Sequence, residues 1–246
     1  MEESNIVEKL VLFGLGRQEA LIYISLLKNG ELTGYEVAKL TGISRSNVYN
    51  ALASLVEHGA AYVCEGSANK YVAVSMEEFC DNRIRFLQEQ EKLLVLNAPK
   101  RQLPTEGYIT IEGYEHIIDK IHHMILGAKQ RIYFAANESF LEKWESEIRE
   151  LLQREVKVVL LSEKLPENLQ DEKVIFYKRL PGSEPWEPGE QQIRLIIDSA
   201  YVLTGDVLGA STDSCLYSAQ KNFVNVFKEA MSNEIKLIEL QTEEKV

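Results

Sequence analysis

Two short helical segments joined by a tight turn constrain this chain more than any other stretch of its sequence. Thr33 and Glu36 have the spacing of a capping box, which begins the first helix. Gly42 lies in the turn and suits a left-handed backbone conformation. Ser44 is a good N-cap for a longer second helix, which Gly59 ends. This arrangement predicts a helix-turn-helix, a motif whose second helix presents its leading residues to a partner.

The segments on either side complete a small domain. Apolar residues at helical spacing predict two more helices, over 4–13 and 17–28. Two β-rich runs, 60–64 and 70–74, follow the motif and are separated by turn-forming residues. A hairpin in that position forms a wing. The sequence therefore predicts a winged helix-turn-helix over residues 1–75.

The outer face of the longer helix has the chemistry of a DNA-reading surface. It carries short polar side chains, one long cation and one aromatic ring, and its first residues would meet base edges in the major groove. We expect Arg45 to contact guanine through two hydrogen bonds, and Asn47 or Asn50 to contact adenine. The residues that we expect to contact double-stranded DNA, at its bases or its backbone, are Thr33, Lys39, Ser44, Arg45, Ser46, Asn47, Tyr49, Asn50 and Lys70.

The overall charge is unusual for a DNA-binding protein, which normally shows a basic patch. The formal net charge is -11, but residues 1–75 hold six Lys/Arg and eight Asp/Glu, so most of the acidic excess lies beyond them. Between Ala38 and Val56 the cations are Lys39 and Arg45, and there is no acid. An acidic remainder would lower non-specific DNA affinity. Binding of a protein instead of DNA by the same helix remains the alternative.

A long helix follows the wing. Ser75 and Glu78 match a second capping box, and apolar residues continue at helical spacing to about residue 97. They follow a partial seven-residue repeat, interrupted by Glu91, which predicts a homodimer through this helix. The alternative is a helix that packs on its own chain. Residues 76–105 thus form a predicted dimerisation helix and linker, whose dimerisation residues are Phe79, Cys80, Ile84, Leu87 and Leu94.

Residues 106–246 have the pattern of an α/β domain. Strand-like and helical runs alternate, so the whole chain is predicted to be a multidomain protein of α+β and α/β parts. The loop 180–190 holds three prolines and two glycines and is long enough to cover a pocket. The predicted strands are 108–111, 131–135, 156–161, 174–177, 193–197 and 201–204, and the predicted helices are 114–126, 138–153 and 223–232.

The helix-turn-helix resembles that of the TrmB family of transcriptional regulators, most specifically in an Arg-x-x-Val-Tyr-x-x-Leu core. Beyond the linker, 111–113, 128–132 and 156–160 resemble the phospholipase-D-like domain of that family, although Glu155 stands where the family often has glycine. The resemblance covers about residues 4–240 and implies a sequence-specific DNA-binding regulator whose C-terminal domain senses an effector or mediates assembly. The matching N-terminal residues are Gly14, Leu15, Glu19, Ala20, Tyr23, Leu26, Leu27, Gly30, Thr33, Val37, Ala38, Thr41, Gly42, Ile43, Arg45, Val48, Tyr49, Leu52, Leu55 and Gly59.

The resemblance also raises the question of catalysis. Active phospholipase-D-like enzymes use His-x-Lys followed by four residues and Asp; with Asp198 as that aspartate, Gln191 takes the His position and Ile193 the Lys position. Glutamine cannot act as the nucleophile, and Arg194 is one residue out of register and points to the opposite face of a strand. We expect no enzyme activity. A phosphodiesterase with a non-standard site, or a protein-interaction scaffold with a silent winged domain, remains an alternative.

The remaining expectations concern ligands and location. Trp186, Arg194 and Tyr201 are expected to line a site for a small-molecule effector of unspecified identity. The histidines and three cysteines lack metal-ligand or disulfide spacing, so we expect no metal or cofactor and a reducing cytoplasm. No apolar stretch approaches ~18 residues and the N-terminus is acidic, so neither a membrane span nor a signal peptide is expected. Because the sequence ends at Val246, the extra sugar-binding domain of longer archaeal members is not expected either.

Overall fold

The structure is a computed structural model that describes residues 3–66, 68–99, 107–179 and 192–243. It divides into two compact units, Met1–Arg101 and Gln102–Val246. Most of the predicted linker and the whole loop 180–190, with Trp186, lie outside the described residues, and so does Gln191.

The first unit has the predicted helices and wing. Its three strands form a small antiparallel sheet in the order β1-β3-β2. The sequence did not predict β1, because two residues are too few to show a periodic pattern. The helices are α1 (Glu3–Leu12), α2 (Arg17–Asn29), α3 (Gly34–Thr41), α4 (Arg45–Glu57) and α5 (Met76–Asn97), and the strands are β1 (Leu32–Thr33), β2 (Ala61–Cys64) and β3 (Lys70–Ala73).

Local hydrogen bonds fix the ends of α3 and α4. The Thr33 hydroxyl accepts from the Glu36 amide at 3.3 Å, and the Glu36 carboxylate accepts from the Thr33 amide at 2.8 Å, which confirms the capping box. Gly42 closes α3 with a φ of 71°, in the left-handed region. The Ser44 hydroxyl then accepts from the Asn47 amide at 3.4 Å and begins α4. The turn between the two helices is therefore determined by the sequence at these positions.

The core of the first unit also holds the start of α5. The Tyr23 hydroxyl donates to the Val74 carbonyl at 2.8 Å, and burial, with Cys80 nearby, raises the Tyr23 pKa to about 12. The Tyr23 ring lies 5.5 Å from that of Phe79, which is fully buried, and Cys80 packs on the same core. Phe79 is buried within its own unit, so its prediction as a dimer-seam residue is wrong, whereas Cys80 is only partly buried and its place in the seam stays a prediction.

The second unit contains one seven-stranded sheet in the order β4-β10-β9-β8-β5-β6-β7. Strands β5, β6 and β7 are parallel and the other neighbours are antiparallel. The strands are β4 (Ile109–Glu112), β5 (Arg131–Ala135), β6 (Lys157–Ser162), β7 (Val174–Lys178), β8 (Gln192–Ile197), β9 (Tyr201–Asp206) and β10 (Ser214–Ser218). The helices are α6 (Tyr114–Leu126), α7 (Glu138–Leu141), α8 (Glu145–Gln153) and α9 (Lys221–Glu243).

Three predictions for this unit need correction. The helix predicted over 138–153 is divided by a 3-10 turn at Glu142–Trp144, where the Trp144 side chain enters the core. Strand β10 was not predicted, because Ser214–Ser218 lies among turn-forming residues. Helix α9 extends eleven residues beyond the predicted end at 232, to Glu243, although Met231, Ile235 and Ile238 have helical spacing that could have predicted this extension.

The sheet buries apolar side chains on both faces, and alternate residues of each strand point to opposite sides. Helices α6 and α8 cover one face, where Ile132, Phe134 and Val158 join the larger core. Helix α9 covers the other face, where Val159 and Ile196 pack with residues of that helix. The two faces therefore differ in their neighbours, which decides what each side chain can contact.

Gly205 gives a direct test of this packing. A Cβ at this position would lie 2.7 Å from the Cα of Cys215 and would also collide with the Ser214 carbonyl on β10. We expect Gly205→Ala to destabilise the second unit by about 1–3 kcal/mol, because backbone atoms cannot easily move aside. Urea unfolding measures the loss. Gly66→Ala is the control, since its nearest non-neighbour atom lies at 3.6 Å; equal stability of the two variants would contradict the register of β9 and β10.

Candidate nucleic-acid interface

Helix α4 separates a buried apolar face from an exposed polar face. Val48, Leu52 and Leu55 are fully buried in the core of the first unit. Because these residues fix the rotation of the helix, the remaining positions of its first two turns point to solvent. The exposed members of the predicted DNA-contacting set on this helix and its cap are Ser44, Arg45, Ser46, Asn47, Tyr49 and Asn50.

Two aromatic contacts arrange the start of α4. The Arg45 guanidinium lies over the Tyr35 ring, 4.6 Å from its centroid, while both side chains remain exposed. The Tyr49 ring packs against Gly34, where a Cβ would lie 2.6 Å from a ring carbon. Arg45 is thus partly oriented before any ligand binds. Tyr35 was missed in the sequence analysis, although an exposed aromatic residue in the first turn of α3 was a usable signal.

Three other predicted residues have different surroundings. The Thr33 hydroxyl both accepts from the Glu36 amide and donates to the Glu36 carboxylate, so we correct its assignment as a phosphate contact: its hydrogen bonds are used in the cap. Lys39 is exposed and shares a shallow cleft with Arg45. Lys70 lies at the start of β3, 3.5 Å from Glu31, in an exposed pair that contributes little energy.

A second groove adds residues that the sequence analysis missed. Arg17 and Gln18, at the start of α2, line a groove with Asn47 and Asn50 of α4. Together with Lys39, Arg17 places positive charge on two sides of the exposed helix. The signal in the sequence was the break at Gly16, which begins a helix and so directs backbone N–H groups outward.

The outer part of α5 carries apolar side chains that are about half exposed or more. Ile84 and Leu87 are 45% and 48% exposed, and Leu94 is 70% exposed. The next two residues, Val95 and Leu96, are 73% and 80% exposed. A run of largely exposed apolar side chains at the end of a helix is unusual for a surface that contacts only water.

Two of the positions that correspond to a phospholipase-D catalytic set, Ile193 and Asp198, serve the fold. Ile193 is 1% exposed and belongs to the core beneath α6 and α8, where it cannot reach a phosphate. The Asp198 carboxylate accepts from the backbone amides of Lys129, Gln130 and Arg131 at 2.8–2.9 Å. Burial raises the pKa of Asp198, but the three amide donors outweigh it and leave the pKa below its ordinary value. Asp198 thus holds the turn before β5.

The predicted effector site is not assembled by the residues named for it. Arg194 is largely buried on the α9 face of the sheet, where it and Arg179 bind the Glu234 carboxylate. Tyr201 pairs with Ile197 on the other face and stacks on Tyr217. We therefore correct this grouping: a strand pair cannot bring opposite faces together. The third member, Trp186, lies outside the described residues.

Over the residues that the structure describes, no group of three or more His, Cys, Asp or Glu side chains is placed to bind a metal ion. His122 contacts Glu147 at 2.9 Å, and His123 is exposed. Within the same ranges, no single helix has the length and apolarity to cross a bilayer, although the bent pair Ser4–Leu12 and Arg17–Asn29 meets that test together.

The first unit is a winged helix-turn-helix with an exposed polar α4, and the second unit is an α/β domain built on a seven-stranded sheet. The family model "Sugar-specific transcriptional regulator TrmB" matches residues 10–77, and "Transcriptional regulator TrmB, EBD N-terminal subdomain" matches residues 107–229. The chain belongs to the TrmB family, which confirms the resemblance found in its sequence.

Several individual proteins are similar to this chain. The chain is 29% identical to the protein YrhO of Bacillus subtilis, over 65% of this chain and 59% of that protein. It is 28% identical to the "HTH-type sugar sensing transcriptional regulator TrmBL1" of Pyrococcus furiosus, over 76% of this chain and 56% of that protein. The matches thus span less than two thirds of these two relatives. A solved structure of TrmBL2, an archaeal chromatin protein, aligns with a TM-score of 0.41 and 23% identity, covering 94% and 97% of the two chains.

The role of Asp198 is testable by the pH dependence of stability. Asp198 has a φ of 51°, which asparagine tolerates, so Asp198→Asn removes mainly the charge and one acceptor. We expect a loss of about 1–3 kcal/mol at pH 7. Because the folded-state pKa is lowered, the carboxylate stabilises fully above its unfolded pKa and loses this effect as the pH falls through the folded value.

The measurement is the free energy of unfolding of both proteins from pH 7 downward. The difference between them should shrink below about pH 4. A difference that stays constant to pH 3 would show that the charge of Asp198 does not support the turn.

Proposed function

We propose that this chain is a sequence-specific, DNA-binding transcriptional regulator that reads duplex DNA with the exposed face of α4. The observation that carries the proposal is the local chemistry of that face. Arg45, Asn47 and Asn50 are all exposed on the first two turns, and no acid lies between Lys39 and Val56. Side chains of these types are the ones that distinguish guanine and adenine in the major groove.

The surrounding cations support this docking. Lys39, Arg17 and the wing residue Lys70 lie on elements that flank α4 or form the wing. Contacts to phosphates position a protein on the duplex, whereas contacts to base edges specify the sequence. A small unit that makes both kinds of contact needs a polar helix for the bases and cations beside that helix for the phosphates. The first unit has this arrangement. The net charge of -11 would then limit binding to non-cognate DNA.

We also propose that the chain acts as a homodimer through the outer part of α5. Phe79 is buried in its own unit, so we base the seam on Ile84, Leu87 and Leu94. These three lie on one side of the helix and are about half exposed or more. A second copy of the same helix would bury them and would supply the second half-site reader that helix-turn-helix proteins use.

The second unit is proposed to regulate rather than to catalyse. The buried Ile193 cannot contact phosphate, and the Asp198 carboxylate is used by backbone amides. TrmBL1 is named as sugar sensing, but this chain spans 56% of it, so we propose an effector role without assigning a sugar. Absence of hydrolysis of a chromogenic phosphodiester would agree with this role.

Replacement of Arg45 tests the reading face. The assay duplex is one that the wild-type chain selects from a random pool, and fluorescence anisotropy measures affinity. We expect Arg45→Ala to lose about 1–3 kcal/mol of binding and to relax the preference at one base position. Arg85→Ala is the matched control, since Arg85 is exposed on α5 and bonds only with Asn82 among the contacts found for it. Equal loss in both variants would exclude Arg45 from base reading.

Two matched leucine substitutions test the dimer. Leu94→Glu introduces a charge on the side shared with Ile84 and Leu87, and we expect sedimentation to show a monomer at micromolar concentration. Leu96→Glu makes the same change two residues further on, on a different side of α5, and should remain dimeric, because the charge would point to solvent. A monomeric wild-type chain, or a dimer that survives Leu94→Glu, would contradict this seam.

A further inference from the structure

A cavity between the sheet and α9 is not used by any role assigned above. Its volume is about 330 Å³, which is in the range of sites for small molecules. Val159 and Ile196 of the sheet and Met231 of α9 give it an apolar floor. Tyr133 and Tyr177 line its walls. The cavity can therefore enclose a flat or apolar molecular body.

Three cations surround the same cavity. Arg131 begins β5 and Lys157 begins β6, and the two are direct neighbours in the parallel register. Like charges at neighbouring positions on one face of a sheet repel each other. Lys228 lines the cavity from α9, on the helical face that also carries Met231 and Ser232. Three positive side chains thus converge on one opening in a chain whose net charge is -11.

No acid neutralises this group. Among the residues that the structure describes, no carboxylate lines the cavity, and neither Arg131, Lys157 nor Lys228 forms an ion pair. Two carboxylates, those of Asp198 and Glu239, bind other groups instead of these three cations. Asp198 binds the backbone amides of 129–131, and Glu239 accepts from the Tyr177 hydroxyl at 3.0 Å. The three cations are therefore available to an anion from solution.

We propose that this cavity binds a small phosphomonoester that carries an aromatic or apolar body. The phosphate group lies at the opening among Arg131, Lys157 and Lys228, and the body lies on the apolar floor between Tyr133 and Tyr177. A phosphomonoester carries about -1.5 to -2 charges near neutral pH, so it matches three cations better than a monocarboxylate does. The apolar walls lower the local dielectric and strengthen this attraction.

This site gives the effector of the proposed function a chemical class, and its regulatory meaning rests on that proposal. It is distinct from the position that corresponds to the phospholipase-D catalytic lysine. Ile193 points to the opposite face of the sheet, into the core beneath α6 and α8. The cavity also lies where Arg131 and Lys157 begin the parallel strands, not at their carboxyl ends.

Titration calorimetry of the full chain, without DNA, tests the site with phenyl phosphate as the probe. Two comparison ligands separate the contributions: benzoate keeps the ring with a single negative charge, and inorganic phosphate keeps the anion without the ring. We expect saturable binding of one phenyl phosphate per chain, at least about tenfold tighter than either comparison ligand, and weaker in high salt. Absence of saturable binding, or equal affinity for the three ligands, would overturn the proposal.

Variants identify the cavity. Lys228→Gln should weaken phenyl phosphate binding roughly tenfold or more, whereas Lys236→Gln, an exposed lysine on the same helix outside the cavity, should leave it unchanged. Ser232→Trp, at an exposed lining position, should block binding by filling the opening while all three cations remain. Circular dichroism confirms that each variant folds. Unchanged binding in both Lys228→Gln and Ser232→Trp would place the ligand elsewhere and overturn the site.

The same preparation separates this inference from the proposed function. Binding of phenyl phosphate is measured without DNA. A chain that binds phenyl phosphate but no duplex would therefore refute the proposed DNA-binding function and not the ligand site. A chain that binds its selected duplex but no phenyl phosphate would refute only the ligand site.

Discussion

The burial of one face of α4 is the interaction on which the functional account depends. Val48, Leu52 and Leu55 are fully buried in the core of the first unit, and this burial decides which side of the helix reaches solvent. Each fully buried residue of this size contributes about 1.5–3 kcal/mol, far more than any exposed contact. Arg45 and Asn47 are therefore presented to a partner by packing at the opposite side of their own helix.

Helix caps and one buried hydroxyl group hold the helices and the wing of the first unit in place. Thr33 and Ser44 fix the starts of α3 and α4, and the Tyr23–Val74 hydrogen bond ties α2 to the end of the wing. The left-handed Gly42 lets the turn between the helices be short. A reading helix held in this way loses little conformational entropy on binding, which favours affinity and specificity.

Much of the first unit could be predicted from the sequence, because its signals are local. The capping box at Thr33, the turn at Gly42 and the alternating hairpin each depend on residues a few positions apart. The errors arose where tertiary packing decided the outcome. Phe79 fits a heptad as well as Ile84 does, and only the ring of Tyr23 beneath it shows that it belongs to the core.

The second unit was less predictable for the same reason. Arg194 and Tyr201 are close in sequence, yet strand pairing places them on opposite faces. The cationic cavity joins Arg131, Lys157 and Lys228 across nearly one hundred positions, so no local pattern could reveal it. In the second unit Ile193 belongs to the core and Asp198 supports a turn, and the fold alone does not determine the function.

The most direct measurement is selection of bound fragments by the full chain from a random pool of duplex DNA. The account predicts an enriched inverted repeat whose half-sites are centred one helical turn apart or a multiple of it, about 10–10.5 base pairs for each turn. It also predicts a guanine or adenine at the positions that α4 reaches. Recovery of fragments with no shared sequence would contradict the claim that this helix reads DNA.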